Sequence, residues 1–197
     1  TLFTPAAYTF GIWGLIYLGL LAYAIYQTLP AQRENPRLRL IGWPFVVSCA
    51  ANVIWLLLFH FNQFALSMVA MLALLVALVI IYLVWGRGQI QVPAGERCLV
   101  RLPFSIYLGW ITVATIANIS ATLVSLNWNG LGIAPATWFL VVLIAAILIT
   151  ALMAYFRRDI AYLLVPVWAF VGIALRPTDS SLVVSAAWVA AGIVVVF

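Results

Sequence analysis

Apolar residues in this chain neither alternate with polar ones nor gather into a single helical stripe. They run in seven long blocks, at 8–26, 41–61, 64–85, 102–126, 137–155, 160–175 and 182–197. Short polar breaks separate them: "QTLPAQRENPRLR", "HFNQ", "GRGQIQVPAGERC", "NWNG", "FRRD" and "RPTD". A bilayer core of roughly 30 Å is crossed by about 20 helical residues, so most blocks have the length of a transmembrane span. The last two are the shortest. A chain in lipid must satisfy its own backbone hydrogen bonds, which leaves helices or closed barrels. With no alternating period, the blocks predict helices. The fold class is therefore an all-α integral membrane protein, a polytopic bundle of about seven transmembrane helices. The four-residue "HFNQ" break predicts that the second and third spans are antiparallel neighbours. Pro166 predicts a kink or a break in the sixth span, unless it is a proline tolerated within a membrane helix.

Composition supports this. Hydrophobic residues make up 68% of the chain and charged ones 7%, against about 25% charged in a soluble domain. The net charge of +5 does not point to nucleic acid, because the arginines are scattered over short loops and form no continuous face. Arg33, Arg37 and Arg39 lie in the first break, Arg87, Arg97 and Arg101 in the third, Arg157 and Arg158 in the fifth. The alternate breaks carry only Arg176, offset by Asp179. This alternation is the positive-inside pattern with an odd number of spans. It predicts Thr1 outside and the C-terminus on the cytoplasmic side of a bacterial inner membrane or of an organelle or thylakoid membrane. The opening has no charged n-region and no cleavage site, and it reads as the continuation of something longer or as a processed product.

Candidate chemistry is sparse. The spans hold no acid–base pair of the kind that marks a proton path, no nucleophile set and no metal motif, so catalysis is not expected and no catalytic residue is assigned. His60, the one histidine, is a weak candidate metal ligand at a span end. Cys49 and Cys98 read as free thiols. Aromatic residues are plentiful instead: nine Trp, eight Tyr and eleven Phe. Trp43, Trp85, Trp128 and Trp138 sit at span ends and fit an interfacial belt. Trp13, Trp55 and Trp110 lie deeper, where an indole N–H needs a partner. Trp13 and Tyr17 share a helix face. Asn52, Trp55 and Phe59 form a stripe with i, i+3, i+7 spacing. Tyr107, Trp110 and Asn118 fall on one side of the fourth span, Tyr107 and Asn118 being close to three full turns apart. The two asparagines carry donors and acceptors that lipid cannot satisfy and must meet a helix, water or a ligand.

Three stretches carry a resemblance to a known family. "FTPAAYTFGIWGLIYLGL" has Pro5 entering a helix with a Trp13-x-x-x-Tyr17 pair; "ANVIWLLLF" has Asn52, Trp55 and Phe59; "YLGWITVATIAN" has Tyr107, Trp110 and Asn118, with Asn127 beyond. In this order and spacing they resemble the tryptophan-rich sensory proteins, bacterial relatives of the mitochondrial translocator (peripheral-type benzodiazepine receptor) protein. The resemblance implies that the first four spans are similar to helices two to five of that fold, its first helix lying upstream of Thr1. It divides the chain into a four-helix part, residues 1–130, and an additional three-helix membrane extension, residues 131–197. The family proline before Tyr107 is Ile106 here, Pro103 lying earlier.

The resemblance also implies a function: a non-enzymatic sensory or transport-like membrane protein binding a flat apolar molecule, a tetrapyrrole (porphyrin, haem or chlorophyll) or a lipid, in a cavity of the bundle. Trp13, Tyr17, Asn52, Trp55, Phe59, Tyr107, Trp110 and Asn118 are its expected ligand-binding residues. The alternative is an accessory or structural subunit of a larger photosynthetic or respiratory membrane complex. Expected partners are membrane lipid and such a complex or a second copy of the chain, with no nucleic acid.

Overall fold

A computed structural model describes residues 1–85 and 92–197. Arg87, part of the predicted basic third break, lies outside the described residues. A 3₁₀ turn, Ala7–Gly11, leads into α1 (Ile12–Thr28). Then come α2 (Pro36–His60), α3 (Phe64–Trp85), α4 (Ala94–Ser125), α5 (Pro135–Arg157), α6 (Ile160–Ala174) and α7 (Ser181–Val195). α4 contains a π-helical stretch, Arg97–Arg101. Among the described residues five helices are long and apolar enough to cross a membrane: Ala7–Thr28, Pro36–His60, Phe64–Trp85, Ala94–Ser125 and Pro135–Arg157. α6 and α7 are apolar but have 15 residues each, about 22 Å of helix against a core of roughly 30 Å. The protein is a multi-pass helical membrane bundle, with five helices of crossing length and two shorter apolar ones among the described residues.

Helix ends follow local chemistry. Asn35 caps α2, its Oδ1 accepting from the Arg37 N–H at 3.1 Å, with Pro36 at the first position. α2 therefore begins at Pro36, inside the polar break, rather than at 41. α4 likewise begins at Ala94, ahead of the expected 102. Both extensions meet in an ion pair, Arg37 to Glu96 at 3.0 Å, with Glu96 buried. α2 and α4 end alike. Asn62 and Asn127 adopt left-handed backbone, φ 56° and 53°. The N–H groups after them reach back to Leu58 O (2.8 Å) and Leu123 O (3.0 Å). This closure uses residues that tolerate the left-handed region, and it explains why "HFNQ" and "NWNG" break the chain so abruptly. Asp159 and Ser180 cap α6 and α7 through Tyr162 N–H (3.1 Å) and Val183 N–H (3.4 Å). α6 continues unbroken through Pro166, which is buried.

The chain divides into two compact units, Ile12–Ile111 and Thr1–Gly11 with Thr112–Phe197, and the boundary falls inside α4. In the first, α2 and α3 pack along their length, as the short break predicted. α3 buries Ser67, Met71, Leu74, Leu78, Ile81 and Trp85, and α2 buries Ile41, Ser48 and Trp55. These seven-residue recurrences are those of helices crossing at a shallow angle. Ser48 and Ser67 return their hydroxyls to the preceding turn, to Phe45 O and Phe64 O, both at 2.7 Å.

In the second unit α5, α6 and α7 pack together. α7 offers small residues, Ala187, Ala190 and Ala191, which allow close approach. The Tyr162 hydroxyl donates to Thr112 Oγ1 at 3.1 Å. Residues Thr1–Gly11 lie on the C-terminal half of α6. Ala6 N–H donates to Gly172 O (2.9 Å), Trp168 Nε1–H to Thr9 O (2.9 Å) and Arg176 to Thr1 O (2.7 Å) and Thr4 O (3.1 Å).

The span-end tryptophans do not share one environment. Trp43 is 79% exposed, as a belt residue should be. Trp138 donates its indole N–H to Gly130 O at 2.7 Å. Trp85, expected in the belt, is instead buried, because it lies on the face of α3 that packs on α2, and the Arg37 guanidinium stands 5.8 Å over its ring.

Candidate ligand site

Within the unit Ile12–Ile111, three helices converge on Trp13. α1 and α4 approach closely nearly two turns further along. A Cβ added at Gly19 would sit 2.9 Å from Pro103 Cβ, so only glycine lets the two helices meet there. Pro103, displaced from the family's usual proline position, is thus the residue that α1 rests on.

Trp13 then stacks on Tyr17 (5.3 Å between ring centroids, 25° between planes) and on Trp55 of α2 (6.0 Å, 29°). It meets Tyr107 and Trp110 of α4 edge to face at 6.0 and 6.4 Å. Trp55 continues to Phe59 (5.8 Å) and Phe59 to Phe64 of α3 (5.1 Å). Each such pair contributes about 0.5–1.5 kcal/mol beyond the area it buries, so the cluster is cohesive without a ligand. Tyr107 and Trp110 are deeply buried, whereas Tyr17 and Phe59 are part exposed at its edge.

Polar groups are few and specific. Asn52 Nδ2 donates to the Tyr17 hydroxyl at 3.3 Å, joining α2 to α1. Among the described residues its buried Oδ1 meets no hydrogen-bond partner, and neither does the buried Trp55 Nε1–H. One acceptor and one donor, three residues apart on α2, are therefore left unmet beside stacked aromatic faces. In a low-dielectric interior an unmet polar group costs about 1–3 kcal/mol.

Of the eight expected residues, seven gather here: Trp13, Tyr17, Asn52, Trp55, Phe59, Tyr107 and Trp110. Asn118 is buried further along α4, in the other compact unit. His60 is exposed at the end of α2, its ring beside Phe61. Gly19 and Phe64 went unnoticed in the sequence, and Pro103 stood out only as a displaced proline. So did a second cluster, Tyr23 with Phe45 (4.8 Å) and Phe104 (5.0 Å). Tyr23 lies seven residues after buried Ile16, a spacing that could have placed it inward.

Among the described residues no group of three or more His, Cys, Asp or Glu side chains could hold a metal ion. The cluster contains no nucleophile set beside a base. Its chemistry is stacking and hydrogen bonding. No curated protein and no solved structure matches the chain. A family model described as TSPO-like protein matches residues 1–197, its whole length, including α5, α6 and α7. With the helical membrane fold and the Trp/Asn pattern in place, that match makes the chain a member of the TSPO-like protein family, within the TspO/MBR group.

Proposed function

We propose that this protein binds a flat apolar small molecule, of which a tetrapyrrole is the leading class, at the aromatic cluster of α1, α2 and α4, in a sensory or transport-like role. The observation that carries this is the pair of unmet polar atoms, Asn52 Oδ1 and Trp55 Nε1–H, set against stacked ring faces. Other buried polar atoms lack a partner among the described residues, the Tyr23 hydroxyl and Trp85 Nε1–H among them, but here an acceptor and a donor stand three residues apart beside stacked faces. A planar ligand with a ring N–H and peripheral carboxylates presents a donor for the first and an acceptor for the second. Its faces suit the stack. Trp13 is the ring to be displaced or sandwiched, since it is part exposed and lies parallel to both Tyr17 and Trp55. Trp110 and Tyr107 form the floor and Phe59 the open edge.

The test is a titration of detergent-solubilised protein with protoporphyrin, followed by tryptophan quenching and by the Soret band. Saturable binding is expected. Asn52→Leu keeps every tryptophan and should weaken binding roughly tenfold, about 1.4 kcal/mol; Trp13→Leu should also weaken it. Equal affinities in the wild type and both variants would remove the ligand from this cluster.

A further inference from the structure

α5, α6 and α7 line an open groove of about 920 Å³ at the end where α5 gives way to α6, within the roughly 300–1,000 Å³ of small-molecule sites. Ala151 and Ala154 of α5 set its depth, because larger side chains there would fill it; Leu163 and Val167 of α6 and Val194 of α7 wall it. At its mouth stands Arg158. The residue holds left-handed backbone, φ 51°, and its N–H closes α5 onto Met153 O (3.2 Å) and Ala154 O (3.1 Å). Its guanidinium is exposed and makes no ion pair or hydrogen bond among the described residues. The adjacent carboxylate does not answer it by default: Asp159 Oδ1 accepts from Tyr162 N–H and serves the start of α6.

We propose that this groove is a binding site for an anionic phospholipid, with one acyl chain along the alanine floor and the phosphate on Arg158. The polarity of the site is that of the ligand, an apolar trough closed at one end by a single cation. A neutral amphiphile would leave the guanidinium unmatched, and a zwitterionic headgroup brings its own ammonium beside the phosphate. Arginine is suited to such a contact, since its stem lies along apolar surface while its planar fork receives phosphate oxygens. Arg157 and Arg158 also belong to the basic breaks, which favour the leaflet richer in anionic lipid.

The test uses the full chain reconstituted in phosphatidylcholine with spin-labelled phosphatidylglycerol or phosphatidylcholine, reading the motionally restricted fraction by electron paramagnetic resonance. The wild type should prefer the phosphatidylglycerol label about fivefold. Arg158→Asn removes the charge while tolerating left-handed backbone, and the preference should fall to near unity. Arg158→Lys should retain most of it. Ala154→Phe fills the groove and should reduce the preference with the charge intact. Arg39→Gln, which removes an exposed arginine outside this groove, should leave it unchanged. No preference in the wild type, persistence in Arg158→Asn, or an equal loss in Arg39→Gln would overturn the proposal, the last pointing to diffuse surface charge.

Discussion

The indole of Trp168 donates its N–H to the backbone carbonyl of Thr9 at 2.9 Å. One turn later the Gly172 carbonyl accepts from Ala6 N–H. α6 ends at Ala174, so that carbonyl has no successor N–H within the helix; the N-terminal segment supplies one. Arg176, just past the helix, returns the exchange by donating to the carbonyls of Thr1 and Thr4. A 15-residue helix too short for the bilayer core is thus completed at one end by residues Thr1–Gly11.

This lock has no spare room. The Thr9 side chain occupies the space that a Cβ on Gly172 would need. Gly172→Ala should destabilise the protein by about 1–3 kcal/mol, the cost of overpacking, and lower its unfolding temperature in mild detergent. Trp168→Phe removes one hydrogen bond and should cost about 1 kcal/mol. In both variants limited proteolysis should cut within the first eleven residues before the helices. Unchanged cleavage in both would show that the segment is held by other contacts.

Gly19 and Pro103 form the corresponding contact in the other unit. The proline ring is stiff and cannot swing aside from an added methyl group, so Gly19→Ala should push α1 off α4 at a cost of about 1–3 kcal/mol. Trp13 rides on α1, and its edge contacts with Tyr107 and Trp110 should loosen. The expected signature is a lower unfolding temperature together with a red-shifted tryptophan emission. A destabilised variant with unshifted emission would mean that the cluster does not depend on this approach.

The hydrogen bond from Asn52 to Tyr17 can be separated from the ligand question by a double-mutant cycle. Tyr17→Phe and Asn52→Ala each remove it, and their coupling energy should be about 0.5–1.5 kcal/mol in unfolding. Tyr17→Phe also leaves Asn52 Nδ2 without an acceptor and should be the costlier of the two per atom removed. Additive effects would mean that the 3.3 Å contact contributes nothing to stability.

The spans and their breaks were legible because apolar blocks, and the polar residues that interrupt them, are local properties; the left-handed backbone of Asn62 and Asn127 was not. The stripe of Asn52, Trp55 and Phe59 was legible for the same reason, since it lies on one helix. That Trp13 would meet Tyr107 and Trp110 could be reached only through the family resemblance; no spacing within one helix encodes a contact between two. Gly19 and Gly172 stayed silent because what a glycine permits is defined by the residue opposite. The starts of α2 and α4 were placed late because apolarity ignores the Arg37–Glu96 pair that holds both extensions. The same arginine covers Trp85, which a rule about span ends assigns to the interface.

The direction of the helices can be read within the unit that holds α5, α6 and α7. Phe3 packs on Phe139 near the start of α5 (6.2 Å), and Arg176 binds Thr1 and Thr4. The N-terminus, the α4–α5 break and the α6–α7 break therefore share one end, and Arg158 marks the other. This is the alternation that the loop arginines predict, with the first three outside. A background of Cys49→Ala and Cys98→Ala allows single cysteines at exposed Ala134, Phe156 and Asp179 to be labelled with an impermeant maleimide. In right-side-out vesicles Ala134→Cys and Asp179→Cys should react and Phe156→Cys should not; inverted vesicles should reverse the result. Because α6 is about 22 Å long, a bilayer thinned around it, with Thr1–Gly11 filling the remaining depth, is the arrangement under which it crosses. If Asp179→Cys reacts from the same side as Phe156→Cys, α6 turns back within the membrane, and the odd number of spans falls with it.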